Sequence, residues 1–197
     1  MADPGSVANF NRIADRYDRH PGQFGCRRAD DDVLDALDGV SPRTVLDIGC
    51  GTGRLLHRVA LRWPAAHLTG IDPASEMIRV ARTKLPEATL LTGTAEQLPV
   101  GDGTVDLVLS TTSFGHWSDQ PAGLREVARA LAPQGRFVLA EHTPPPAWSR
   151  RLLRVFGELP AHHDQPTTRR LVEAAGLRVV RAGRVRGGLL LVVAVPA

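Results

Sequence analysis

Residues 44–56 read TVLDIGCGTGRLL. A β-branched apolar run leads directly into glycines at 49, 51 and 53, and these lead into a Leu- and Arg-rich amphipathic stretch. That order reads as a buried strand, a turn that needs backbone freedom, and a helix start. A helix N-terminus behind such a turn presents unpaired N–H groups and the positive end of its dipole. The spacing G-x-G-x-G departs from the dinucleotide fingerprint, because position 54 is Arg where a third glycine would stand, and no Gly-Lys-Ser/Thr follows for a phosphate loop. A purely structural turn is the alternative reading.

The rest of the chain fixes the layers around this unit. Strands are expected at 44–48, 67–72, 88–93, 104–111 and 135–141, with helices between them at 54–62, 75–85 and 121–131. Strands separated by helices of this length need crossovers, so the five run parallel with helices on both faces. Amphipathic stretches at 7–18 and 31–37 precede the first strand, and helical runs at 148–157 and 168–175 follow the fifth. The last two strand-like runs, 177–186 and 189–195, are separated by Gly187 and Gly188, which predicts a hairpin and a reversed final strand. The expected fold is α/β: a doubly wound, Rossmann-like, seven-stranded sheet, mostly parallel with a C-terminal antiparallel hairpin strand.

Composition narrows the function classes. The formal net charge is +3, carried by 24 basic against 21 acidic residues, and Lys84 is the single lysine. That Arg-for-Lys skew argues coding bias more than a phosphate-binding surface, although nine Arg face only Glu158, Asp164 and Glu173 after Glu141. No stretch reaches the roughly 18–20 apolar residues of a membrane span. The charged N-terminus has no signal-peptide core, which reads as a soluble cytoplasmic protein. Cys26 and Cys50 form no metal or disulfide spacing, and the adjacent His162 and His163 lack further ligands, so no metal is expected.

In a doubly wound sheet the ligand lies beyond the carboxyl ends of the central strands. That places Gly49, Gly51 and Gly53 at the end of the first strand. At the end of the second stands Asp72, where an acid can accept hydrogen bonds from both hydroxyls of a ribose. A simple helix cap is the other reading of Asp72, and Ser75 serves equally well as that cap.

The segments VLDIGCGTG, GIDPASEMI, GTAEQLPVGDGTVDLVLS and LREVARALAPQGRFVLAE follow one another in an order that resembles class I S-adenosylmethionine-dependent methyltransferases, in the branch acting on small molecules, quinones and lipids. The resemblance covers residues 44–141 and the terminal hairpin. It implies S-adenosyl-L-methionine as cofactor, with Asp47, Gly49, Cys50, Gly51 and Gly53 around its methionyl end and Asp72 on the ribose. Pro73 and Met77 would lie against ribose and adenine. Thr94 stands where the family often has an acid that contacts the adenine, and Glu96 or a water takes that contact instead; Ala95 offers its N–H to the ring. Ser110 and Thr111 would border the sulfonium, and Tyr17 would close over the cofactor or pack as a helix aromatic.

Methyl transfer to a neutral acceptor releases a proton, which makes a base useful. His116, just beyond the fourth strand, is the first candidate and is equally readable as a packing and hydrogen-bonding residue beside Trp117; His142 is the second. Phe114 and Trp117 would wall the acceptor pocket or form lid core, and Trp148, Leu152, Leu153 and Phe156 would cover it. The whole chain, 1–197, then reads as one methyltransferase domain, with 1–40 a helical lid and 142–176 a short helical cover. The expected partner is a small-molecule or lipid-like acceptor; nucleic acid is not expected, and a homodimer is left open. Competing readings are a non-catalytic cofactor-binding regulator or scaffold, an RNA methyltransferase guided by the Arg-rich C-terminal third and, last, a nicotinamide-dependent reductase.

Overall fold

The structure is a computed structural model that describes residues 4–20, 23–145, 161–185 and 188–197. The chain opens with α1 (Pro4–Ile13), a 3₁₀ segment (Ala14–Arg19) and α2 (Gln23–Asp35). Then β1 (Thr44–Ile48), α3 (Arg54–Arg62), β2 (His67–Asp72), α4 (Ser75–Lys84), β3 (Thr89–Thr92) and β4 (Val105–Thr111) alternate. A short 3₁₀ turn (Phe114–His116), α5 (Gln120–Ala130) and β5 (Leu131–Glu141) follow, and α6 (Gln165–Ala174), β6 (Leu177–Arg184) and β7 (Leu190–Pro196) complete the fold. The expected helix at 148–157, with Trp148, Leu152, Leu153 and Phe156, lies outside the described residues.

The seven strands lie in the order β3-β2-β1-β4-β5-β7-β6. β1 to β5 pair in parallel, and β7 runs against both β5 and β6. The chain winds outward from β1 to β3 and then returns to β4 on the other side of β1, so the crevice between β1 and β4 is the switch point where such sheets bind ligands. Because central strands are buried on both faces, consecutive residues alternate between two cores. Val45, Leu107, Leu109 and Val138 pack under α2, α3 and α4, while Leu46, Ile48, Val108 and Leu139 pack under α5 and α6.

Several boundaries differ from expectation, among them the N-terminal stretch expected at 7–18, which forms α1 and the 3₁₀ segment, and the helix expected at 168–175, which is α6 and begins at Gln165. α2 begins at Gln23 where the apolar pattern pointed to 31–37, because the inward positions of its first half are Cys26, Ala29 and the charged Asp30, which carry no hydrophobic periodicity. β5 begins at Leu131, which pairs with Val105 before the register shifts and resumes at Leu107↔Arg136. Pairing of β6 with β7 stops at Arg184↔Leu190, so residues 185–189 connect them where a two-residue Gly-Gly turn was expected. Val185 N–H to the Leu189 carbonyl at 2.9 Å closes that longer turn.

Candidate functional site

The glycine turn is built by its own backbone. Gly49 adopts φ +71°, and a Cβ there would collide with Ser113, whose Oγ donates to the Ile48 carbonyl at 2.8 Å. Gly51 also has positive φ, +54°, but a Cβ on it would meet no protein atom within 4 Å. The first glycine is needed for packing and the second leaves open space beside the backbone.

Around this turn lies an open-mouthed cavity of about 940 Å³, a volume that includes the solvent at its mouth. It spans the ends of β1, β2, β3 and β4 and is roofed by the N-terminal segment through Phe10, Tyr17 and Asp18. Thirteen of the fifteen candidate residues line it, His116 included; Gly53 and Ser110 do not. Gly53 caps α3, where a Cβ would press on Ala81 and Leu85. Ser110 is fully buried and bonded to Ser113 Oγ at 2.8 Å. Adjacent strand residues face opposite ways, so Thr111 reaches the cavity and Ser110 turns into the protein. Of the acceptor-side aromatics, Trp117 lines the cavity, whereas Phe114 is core beneath it, 5.0 Å away edge-on. His142 is not among the lining residues.

Carboxylates dominate the wall. Asp72 Oδ2 accepts the Gly51 N–H at 2.9 Å and Oδ1 accepts the Ala74 N–H at 2.8 Å. Burial pushes its pKa up and these two amides oppose the shift, leaving it raised. Asp47 is fully buried and pushed up to about 7, first by burial and then by the neighbouring Asp30 and Asp72. For Glu96 burial acts upward, but the N–H groups of Asp119 and its neighbours outweigh it and hold the carboxyl below its ordinary value. Among the described residues Arg54 is the one Arg or Lys on the wall.

Four buried side-chain polar atoms have no hydrogen-bond partner among the described residues, and three belong to this wall: Arg54 Nη1, Thr111 Oγ1 and Trp117 Nε1. Native interiors rarely leave such groups unmatched, and the three residues that carry them line the same cavity. Open space at Gly51 and a carboxylate with spare lone pairs at Asp72 fit the nucleoside of S-adenosylmethionine.

The N-terminal roof is tied down by named contacts. Asp18 accepts from Thr52 Oγ1 at 2.6 Å and from Lys84 Nζ at 2.5 Å, and Lys84 also donates to the Thr52 carbonyl at 2.9 Å. Asn11 accepts the Glu76 N–H at 2.9 Å, and Phe10 meets both Tyr17 and His116 edge-on, at 6.0 and 5.4 Å. Ser6 Oγ lies 3.3 Å from His116 Nδ1.

Sequence reasoning missed Phe10, Asp18, Thr52, Arg54 and Thr112 on this wall. Phe10 was legible in principle, three residues after Val7 and three before Ile13 on one helix face. Thr112 has φ +54°, a backbone strain at the end of β4 that no propensity signals.

Comparison with known proteins agrees with this geometry. Residues 45–135 match the methyltransferase domain family. A malonyl-[acyl-carrier protein] O-methyltransferase of Geobacter sulfurreducens is 38% identical over 146 residues, 71% of this chain and 54% of that protein. A demethylmenaquinone methyltransferase of Thermotoga maritima is 32% identical over 139 residues, 69% of this chain and 61% of that one. The chain thus spans little more than half the length of the curated relatives it matches. A Haloferax volcanii putative methyltransferase, solved in complex with the Trm112 methyltransferase activator, superposes with a TM-score of 0.80 at 22% identity, over 95% of this chain and 97% of that one, which shows a shared fold. The sheet order, the glycine turn and the methyltransferase domain matched over residues 45–135 together support a class I S-adenosylmethionine-dependent methyltransferase.

Proposed function

We propose that the chain transfers a methyl group from S-adenosylmethionine to a small-molecule or lipid-like acceptor, working as one domain with residues 1–40 as lid and 142–176 as cover. The observation that carries this reading is Asp72, which keeps spare lone pairs after its bonds to Gly51 and Ala74 and lines a cavity at the sheet's switch point. The cofactor supplies a methyl on a cationic sulfur, so the protein's work is to bind, orient and move a proton.

Asp72 uses two of its four lone-pair sites on Gly51 and Ala74 and keeps two for the ribose hydroxyls. Pro73 and Met77 give the nucleoside an apolar wall, and Ala95 and Glu96 meet the adenine, with Glu96 replacing the acid absent at Thr94. Asp47, Gly49 and Cys50 border the amino-acid arm. Phe10 and Tyr17 exclude water from above. Alignment of the acceptor behind the methyl accounts for up to about 7–11 kcal/mol in well-oriented systems. His116 takes the proton of a neutral acceptor; an ionised acceptor needs no base.

The acceptor class draws support from the relatives, one named for a malonyl carrier-protein substrate and the other for demethylmenaquinone. The test is incubation with cofactor bearing a deuterated methyl and, in turn, a malonyl thioester of a carrier protein and a demethylated menaquinol, read by mass spectrometry. One labelled methyl on either supports the assignment. Absence of labelled product from both, with cofactor bound, removes it.

A further inference from the structure

We infer that Glu141 is a positioning residue for His116, its buried carboxylate fixing the turn that brings the imidazole to the cavity wall. The inference rests on the reading of His116 as the base and names what holds it in place. His116 ends the 3₁₀ turn Phe114–His116 and lines the cavity. A 3₁₀ segment this short has few and poorly aligned internal hydrogen bonds, so its surroundings set its place. Gly115 N–H donates to Glu141 Oε2 at 3.0 Å, and the Phe114 N–H donates to the same carboxylate. The carbonyls of the turn have other partners: Phe114 accepts from Gln120 Nε2 and Gly115 from the Ala161 N–H, each at 2.9 Å. Glu141 itself ends β5, is 3% exposed and is not among the cavity-lining residues, so it acts on the site through the turn.

The partners of Glu141 set it apart from a packing residue. Burying a carboxylate is costly without a charge partner or hydrogen bonds. Among the described residues no Arg or Lys pairs with it; His162 Nδ1 lies 3.5 Å from Oε1. Burial, and then the neighbouring histidines, push His162 down to about 4, so it carries no charge at neutral pH. Backbone N–H groups therefore hold the carboxylate: those of Gly115 and Phe114 in the turn, and that of His142 at 2.7 Å. Burial raises its pKa to about 7 against the pull of these amides. An apolar side chain here would avoid that cost but leave two N–H groups of a buried stretch, Phe114 and Gly115, without their acceptor. The backbone of the turn is thus anchored to the end of β5, while the His116 ring meets α1 through Ser6 Oγ at 3.3 Å and Phe10 edge-on at 5.4 Å. A neutral acceptor gives its proton to the base as it takes the methyl, and a base displaced by about 1 Å costs on the order of 100-fold in rate.

The test uses the full chain with S-adenosylmethionine and a demethylated menaquinol, a neutral acceptor, together with the imidazole NMR spectrum of the cofactor-bound protein. Glu141→Met removes both oxygens and keeps the volume. It should lower kcat about 100-fold with KM within about twofold, the pattern of an interaction made in the transition state. Glu141→Gln can turn its oxygen to the turn and its Nε2 towards His162 Nδ1, which has no hydrogen-bond partner among the described residues. It should recover at least about tenfold of that loss, the worth of one restored hydrogen bond. The His116 resonances, assigned through His116→Gln, should move in Glu141→Met and return in Glu141→Gln. If Glu141→Met does not melt cooperatively, Glu141→Ala takes its place in the same comparison. His116 resonances that stay in place in Glu141→Met, or a loss of kcat that Glu141→Gln does not recover, overturn the positioning role and leave the base reading standing. A wild-type chain that leaves the neutral acceptor unmethylated, or a His116→Gln variant that matches wild type on it, overturns the base reading and the role of Glu141 with it.

Discussion

Asp72 and Gly51 are joined across the floor of the cavity: the carboxylate at the end of β2 accepts the N–H of the glycine turn after β1 at 2.9 Å. The same side chain caps its own following turn through Ala74. One acid thus fixes the shape of the loop and offers its remaining lone pairs to a ligand.

Replacing Asp72 therefore acts on ligand and loop together. Asp72→Ala removes two charge-assisted hydrogen bonds and should weaken cofactor binding on the order of 100-fold. Asp72→Asn keeps an acceptor oxygen for one amide and should fall between the two. Titration of both variants, with melting curves to follow the fold, checks the order; unchanged affinity in Asp72→Ala would contradict the ribose role.

The two glycines separate packing from binding. Gly49→Ala forces a Cβ into Ser113 at a positive φ and should destabilise the fold by about 2–4 kcal/mol, combining left-handed strain with overpacking. Gly51→Ala meets no protein atom and should lose only about 1–2 kcal/mol of stability, for the left-handed strain. Its methyl nevertheless enters ligand space, so affinity should drop far more than melting temperature. Denaturant melts and titrations on the pair would show whether the two effects divide this way.

Lys84 pins the N-terminal roof to the glycine turn through Asp18 and the Thr52 carbonyl. Lys84→Met should speed proteolytic cleavage of the segment before α2 several-fold and raise the cofactor off-rate, leaving the sheet's melting transition nearly in place. Limited proteolysis with mapping of the cut sites reads this directly, and an unaltered cleavage pattern would mean the latch is not what holds the roof.

Asp47 makes stability depend on pH. Its pKa is raised from 3.8 to about 7 by burial and by Asp30 and Asp72, so the folded protein holds a proton that the unfolded chain releases. Its contribution is complete below about pH 4 and is lost as pH rises through 7, by up to roughly 4 kcal/mol at about 1.4 kcal/mol per unit. Glu141, raised to about 7, acts in the same direction, whereas His162, lowered to about 4, opposes both between pH 4 and 6.5. Asp47→Asn should flatten the decline between pH 5 and 8 relative to wild type. Urea melts across that range check the slope, and parallel curves would contradict the assignment.

Where apolar period and hard stops coincide, the sequence determined elements to the residue. α3 matches its expected range because three glycines precede it and Trp63-Pro64 ends it, and β2 matches because its apolar run ends on Asp72. The pocket's glycines and Asp72 were legible for the same reason: residue types with few structural uses stood at strand ends. Arg54 was not, because on a helical wheel it reads as one more solvated arginine, and only the fold places it between Asp30 and the cavity. Asp30 itself hid the first half of α2 by putting a charge on the buried face. The extension of β5 to Leu131 depends on a register shift against β4, which is a property of the pair.

The central claim is that this cavity binds S-adenosylmethionine. The most direct measurement is calorimetric titration of the wild-type chain with S-adenosylmethionine and with its demethylated product. A one-to-one complex with micromolar affinity for both is the predicted result. Folded protein that gives no binding heat with either ligand up to millimolar concentration, and no shift in melting temperature, would contradict it.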